Sequence, residues 1–210
     1  MKAVVLSSGG VDSSVMMLLL KNQNIDILPL HINYGQLAED HEWEACGRVC
    51  EFLGLHPVKI DFPGFKFIPS GLTNPELDIE KFAFLPTRNL LFIVLGAAYG
   101  YGKSADTVAI GILANPIFPD QTIEFLKTAE SCVSKSLGKS LKLLAPLTSL
   151  DKRDTLRLAR KYGLPLELTY YCHSGQSVPC GQCISCKERI AAEESLSQST
   201  ATDKESIVAE

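Results

Sequence analysis

The sequence has no run of basic residues. Its 20 Lys and Arg are outnumbered by 24 Asp and Glu, giving a formal net charge of −4. That balance excludes broad, non-specific nucleic-acid binding, which needs clustered cations against phosphates. No apolar stretch reaches the ~20 residues of a membrane-spanning helix. The densest, residues 90–98, is short and follows Arg88. The first residues read as a core strand rather than a leader, so no cleaved signal is expected. With 46% hydrophobic and 21% charged residues, the composition is that of a soluble globular protein. A length of 210 residues suits one domain with a small appendage. Without a leader, the seven cysteines point to a reducing, cytoplasmic setting.

One lysine is also missing. A glycine-serine turn, Ser8-Gly9-Gly10-Val11-Asp12-Ser13, follows the apolar run Ala3-Val4-Val5-Leu6 and precedes a long apolar stretch from Val15. The order is buried strand, tight polar loop, helix start. Glycines let the backbone approach a ligand, and the first helical N–H groups attract an anion. A Walker loop would add a lysine for the β- and γ-phosphates, and none is here. Two readings stand at this point: a nucleotide-phosphate loop, or a polar turn with an Asp/Ser helix cap.

Strand-like and helix-like segments alternate along the rest. Strands are expected at residues 25–32, 57–61, 107–111 and 143–146. Helices are expected at 39–53, 89–102, 121–137 and 150–162, with stops at Gly54 and Gly163. Residues 62–81, rich in Pro, Gly and Asn, read as a long functional loop or lid. The alternation implies an α/β fold, a parallel sheet with helices on both faces. Its ligand would sit beyond the carboxyl ends of the strands. The Ser/Thr/Glu-rich tail, 195–210, is expected to be disordered.

Cys172, Cys180, Cys183 and Cys186 form C-x7-C-x2-C-x2-C near the end. Four thiolates at this spacing fit a tetrahedral metal. Structural zinc is the preferred reading. A [4Fe–4S] cluster is the competitor, though its usual fourth cysteine, followed by proline, is replaced here by an upstream one. His173 is a minor candidate ligand. Cys46, Cys50 and Cys132 read as core thiols, and His31 as a satisfied interior histidine. Arg189 either offsets the charge of the metal site or lies exposed.

Taken together, these residues resemble the QueC family of 7-cyano-7-deazaguanine synthases, within the PP-loop ATP pyrophosphatases. The resemblance rests on the SGGxDS turn, Tyr34-Gly35-Gln36, Leu85-Pro86-Thr87-Arg88-Asn89, Gly111, Pro119-Asp120, Pro146-Leu147, Asp151-Lys152 and the cysteine cluster. It implies a Rossmann-like, adenine nucleotide alpha hydrolase-like sheet over residues 1–165 and a small four-cysteine zinc module over 166–194. It implies ATP with Mg²⁺, ammonia, a deazaguanine-type carboxylic acid and, usually, a homodimer. ATP would be held by Ser7, Ser8, Gly9, Gly10, Val11, Asp12, Ser13, Ser14, Tyr34, Gln36 and Gly111. Asp12, which would either cap the helix or hold Mg²⁺, Ser13, Arg88 and Lys152 would act in catalysis. Arg88, Asn89, Phe118 and Asp120 would contact the acid, and Cys172, Cys180, Cys183 and Cys186 the zinc.

Two places depart from the family pattern. After the fourth strand the family usually has a longer loop with an acidic residue, Ser-Gly-Tyr and an arginine, whereas residues 112–122 are shorter and largely apolar. Thr87 stands where the family usually has glycine. Three functions stay open: a divergent nitrile synthase, a QueC-like paralogue joining an acid to another amine, including a protein amine, and a non-catalytic zinc- and nucleotide-binding module.

Overall fold

The structure, a computed structural model, describes residues 1–208, with side chains through 198. Five short strands form one sheet: β1 (Lys2–Leu6), β2 (Asp26–Asn33), β3 (Val58–Asp61), β4 (Thr107–Ala109) and β5 (Lys142–Leu144). Their order is β3-β2-β1-β4-β5, and every neighbouring pair is parallel. The chain steps outward from β1 to β3, then returns to the other side of β1. The β1–β4 boundary is therefore the switch point, where a crevice opens beyond the strand ends.

The alternation of β1 sorts the helices. Ala3 and Val5 face one layer, built by α1 (Val11–Asn22), α2 (Glu39–Phe52), α5 (Lys152–Lys161) and α6 (Ile184–Val208). Val4 and Leu6 face the other, built by α3 (Arg88–Gly102) and α4 (Ile123–Leu137). With both faces covered, β1 is apolar from Ala3 to Leu6 rather than alternating, as strands of buried parallel sheets are. Gly96 and Gly100 let α3 lie close to the sheet. A Cβ at Gly100 would come 3.1 Å from a Val4 methyl.

Most boundaries agree with the sequence reading, and the differences have local causes. β4 ends at Ala109, because Ile112 N–H turns back to the carbonyl of Ile110. A 3-10 turn, Pro119–Gln121, precedes α4, whose N-cap Thr122 accepts from Phe125 N–H. Residues 62–87 form turns and one 3-10 segment, Pro63–Phe67, before α3 begins. The residue capping α3, Thr87, is held at φ +63°, a left-handed conformation. This explains why glycine suits that position.

Two expectations are corrected. Cys132 is exposed, not core. The inward face of α4 is Leu126, Ala129 and Val133, and Cys132 lies about 100° round the helix from Val133. The tail expected to be disordered from 195 begins instead as helix, because Leu196 packs into the core beside α5; residues 209–210 lie outside the described residues. No described helix is long and apolar enough to cross a membrane.

Leu156 of α5 is fully buried in the layer that places Lys152. Leu156→Ala should lower unfolding free energy by about 2–5 kcal/mol in urea denaturation.

Candidate active site and metal centre

A cleft opens at the switch point. The loop after β1 forms its floor: Ser7, Ser8, and Gly10 through Ser13 line it. Gly10 caps α1 without a side-chain bond. The N–H groups of Val11, Asp12 and Ser13 are therefore left for a ligand, and Ser14 N–H closes the first helical bond to Gly10 O. Ser8 Oγ accepts from Gly10 N–H at 3.3 Å, and Ser13 and Ser14 hydroxyls donate to Gly10 O at 3.1 and 2.7 Å. Ser14 is fully buried and Gly9 is turned to α2, so neither is among the lining residues.

Asp12 does not cap α1. Its carboxylate receives Lys152 Nζ at 2.5 Å and Thr155 Oγ1 at 3.2 Å. Lys152 also lies 3.9 Å from Glu188 of α6. A cation in the first turn of a helix meets the unfavourable end of the dipole. Here two carboxylates hold it, and Asp151 caps α5 by accepting from Asp154 N–H at 2.8 Å.

The opposite wall is aromatic. The Arg88 guanidinium lies 5.9 Å from the Tyr34 ring and 5.8 Å from Phe92, within cation–π range. Burial pushes the Tyr34 hydroxyl up to about 12, against the pull of Arg88. Asn89 and Gly111 line the cleft. Phe118 also lines it, its ring 5.1 Å from Phe84. Asp120 turns away. Its carboxylate accepts from Asn89 N–H at 3.2 Å, and its carbonyl accepts from the Asn89 amide at 3.1 Å. It anchors the start of α3.

Gln36 is also behind the wall. Its Oε1 accepts from Tyr34 N–H, and its amide donates to Glu39 and Glu42 at 2.8 and 2.9 Å. Nearby, both ring nitrogens of His31 face acceptors, Ser7 O and Glu39 Oε2, each at 3.0 Å. Both must carry hydrogen, so the ring is an imidazolium. Burial alone would lower its pKa. Hydrogen bonding with Cys46 and Glu39 and the charges of Glu42 and Glu39 outweigh burial and push it up to about 10. Glu39 is held below the usual carboxylate range: burial opposes, but His31 and Lys59 prevail.

Three lining residues had no signal in the sequence, Glu42, Tyr170 and Glu188, and a fourth, His173, reads there only as a minor metal ligand. His173 turns to the cleft rather than to the cysteines, and its buried Nδ1 makes no hydrogen bond among the described residues. Burial, Arg88 and Lys152 press its pKa down to about 4. Arg189 is buried, pairs with Glu193 at 2.6 Å and lies over Tyr171, which removes the exposed alternative.

The sulfur atoms of Cys172, Cys180, Cys183 and Cys186 lie within 4.8 Å of one another. All seven cysteines are free thiols. The N–H groups of Cys180, Cys183 and Cys186 point at Cys172, Cys180 and Cys183 sulfurs at 3.3–3.4 Å. Such donors stabilise thiolates, and four convergent thiolates fit a tetrahedral metal. The centre is joined to the cleft. Tyr170 N–H donates to Gly9 O at 3.0 Å, and α6 carries both Cys186 and Glu188.

Two outcomes are expected. Because the raised His31 pKa stabilises the fold when the unfolded ring is also protonated, the benefit is complete below about pH 6.5 and is lost as pH rises through about 10. His31→Gln should therefore cost on the order of 3 kcal/mol near pH 6, with the gap closing towards pH 10 in urea titrations. Cys183→Ser should lower metal content and melting temperature together, because metal binding is folding energy; bound metal is read by mass spectrometry of the intact protein.

Comparison with known proteins agrees with this geometry. The family model described as "Queuosine biosynthesis protein QueC" matches residues 2–197. The 7-cyano-7-deazaguanine synthase of Nautilia profundicola is 32% identical over 203 residues, covering 90% of this chain and 91% of that protein. That of Caldicellulosiruptor bescii is 30% identical, covering 91% and 92%. Among solved structures, the NMN synthetase from Francisella tularensis superposes with a TM-score of 0.57 at 16% identity, over 89% of this chain and 71% of that one. A 4-thiouridine synthetase in an RNA complex with bound ATP gives 0.52 at 19%, over 97% and 52%. These structural likenesses show a shared parallel α/β fold. With a family match over nearly its whole length and a site built at the switch point, this chain belongs to the QueC family.

Proposed function

We propose that the protein is an ATP-dependent carbon–nitrogen ligase that converts 7-carboxy-7-deazaguanine and ammonia to 7-cyano-7-deazaguanine. The observation that carries this is the loop from Ser7 to Ser13, with free helical N–H groups and Lys152 rather than a Walker lysine, in a QueC chain. The acid's carboxylate oxygen attacks the α-phosphorus of ATP, the α–β bond breaks, and pyrophosphate leaves. Charge grows on the leaving phosphates, where the N–H groups of Val11 to Ser13 and Lys152 can meet it. Arg88 orients the carboxylate or its adenylate. Ammonia then displaces AMP to give the amide. A second adenylation, on the amide oxygen, lets loss of AMP and protons form the nitrile. Mg²⁺, with Asp12 as a ligand once Lys152 is drawn to phosphate, would neutralise the triphosphate. Zinc in the four-cysteine centre would have no open position and would act structurally. A homodimer belongs to the same reading.

A second reading has its own observation. The segment after β4 offers Ile117 and Phe118 beside Phe84 where the family usually places polar groups, and Ile117 is half exposed. Apolar contacts discriminate between acids and acceptors weakly. This favours the same adenylation chemistry on a different acid or amine, including a protein amine.

Incubation with the acid, ATP, Mg²⁺ and ammonium, followed by mass spectrometry, should give the nitrile, AMP and pyrophosphate. ADP as the product would sink the assignment, and an amide without nitrile would favour the second reading. Lys152→Met should lower turnover by roughly a hundredfold or more, with the fold retained by circular dichroism.

A further inference from the structure

Three carboxylates line the cleft, and they are not equivalent. Asp12 and Glu188 both face Lys152. Glu42 faces no cation at ion-pair distance among the described residues. One of its oxygens, Oε2, is fixed by the Gln36 amide at 2.9 Å, and among the described residues no protein donor serves the other. Gln36 is itself immobilised by Tyr34 N–H and Glu39. His31, the nearest buried cation, spends its Nε2–H on Glu39. Arg88, across the cleft, stacks on Tyr34 and Phe92 instead.

A part-buried carboxylate with no ion-pair partner in contact is costly, the more distant charges of His31 and Arg88 offsetting only part of that, and it repels phosphate. Its position makes that cost informative. The Glu42 backbone lies directly under the loop, because a Cβ on Gly9 would come 2.6 Å from Glu42 O. The Glu42 side chain lines the same cleft as the loop, Tyr34 and Tyr170, where the ligase reading puts the adenylate. The charges of Asp12, Lys152 and Glu188 are matched to one another, whereas Arg88 has only its aromatic partners. What the reaction lacks is a site for its one cationic reactant and an acceptor for that reactant's proton.

We propose that Glu42 binds ammonium, or a primary ammonium group, and takes the proton that frees its nitrogen to attack the adenylate; this rests on the ligase reading. The step balances. Ammonium gives one proton to the free Glu42 oxygen, and the nitrogen lone pair forms the C–N bond. The C–O bond to AMP breaks, AMP leaves with its electron pair, and the nitrogen's second proton passes to solvent. Glu42 then returns its own proton to solvent. Burial raises the Glu42 carboxyl above its ordinary range, though His31, the Gln36 bond and Arg88 oppose this. A raised carboxyl is a better proton acceptor near neutral pH. Gln36 is the positioning residue for this group.

The test is Glu42→Gln in the full-length, metal-loaded protein. ATP–pyrophosphate exchange with the acid, run without amine, reads adenylation. Amide formation across an ammonium series reads the second step. Exchange should persist while KM for ammonium rises about tenfold to a hundredfold. Hydroxylamine, which is largely uncharged at neutral pH, should restore most of the lost rate. A change confined to KM for the acid or ATP, with ammonium unaffected, would overturn the proposal and make Glu42 a nucleobase contact. If the unaltered protein shows no exchange, the ligase reading fails instead. Binding of ¹⁵N-ammonium to the ATP-bound protein, followed by NMR, then decides the site alone: weakened binding in Glu42→Gln upholds it, and equal binding ends it.

Discussion

The site depends on one close contact, that of Gly9 with α2. At φ +75°, Gly9 lies so near the helix that a Cβ would come within 2.5 Å of Cys46 N and 2.9 Å of the Ala45 methyl. Only a residue without a side chain allows the loop to rest there. From that contact the rest follows. Its carbonyl takes Tyr170 N–H, which ties the cysteine module to the loop. The loop then turns into α1 with its N–H groups aimed at the crevice. The same contact brings α2, and with it Glu42, against the cleft. The glycine expected to touch phosphate is instead turned to α2, where it organises three elements behind the loop.

Much of this was legible in the chain because it rests on local rules. Strand, glycine turn and apolar helix read directly as β1, loop and α1. The cysteine spacing marked a four-thiol centre, which the sulfur geometry matches. What stayed hidden was non-local. Asp12 looked like a helix cap because caps are the local role of such residues, but its partners are 140 and more positions away, on α5. Gln36 and Asp120 carry motif positions yet spend their polar atoms on neighbouring backbone and carboxylates. Glu42 is one acidic residue among several on α2, and no periodicity marks the one that faces the crevice. Cys132 shows the opposite error: a thiol on an amphipathic helix is core only if it falls on the inward face.

Electrostatically the cleft is divided. Around α1 and α5 the charges are mutually paired, with Lys152 shared between two carboxylates. Around α2 a second network pairs His31 and Lys59 with Glu39. Among the described residues, the first region combines first-turn N–H groups left without a helical partner with a lysine, the arrangement that suits an anion. In the second region the carboxylate of Glu39 and the ring of His31 hold each other charged, the ring's pKa pushed up to about 10.

Thr87 adds a constraint of another kind. It holds a left-handed backbone with a β-branched side chain, a combination worth about a kilocalorie of strain or more. Glycine there would move among several backbone basins. Threonine has far fewer to visit, because its branched Cβ closes most of them. The residue that follows is Arg88. The start of α3, and with it the base of Arg88, is thus set by a joint with little play, and Arg88 N–H is held by Leu85 O at 3.3 Å. Stiffness at that joint ties the turn at residues 85–87 to the cleft's aromatic wall, since Leu85 packs in the same core cluster as Tyr34.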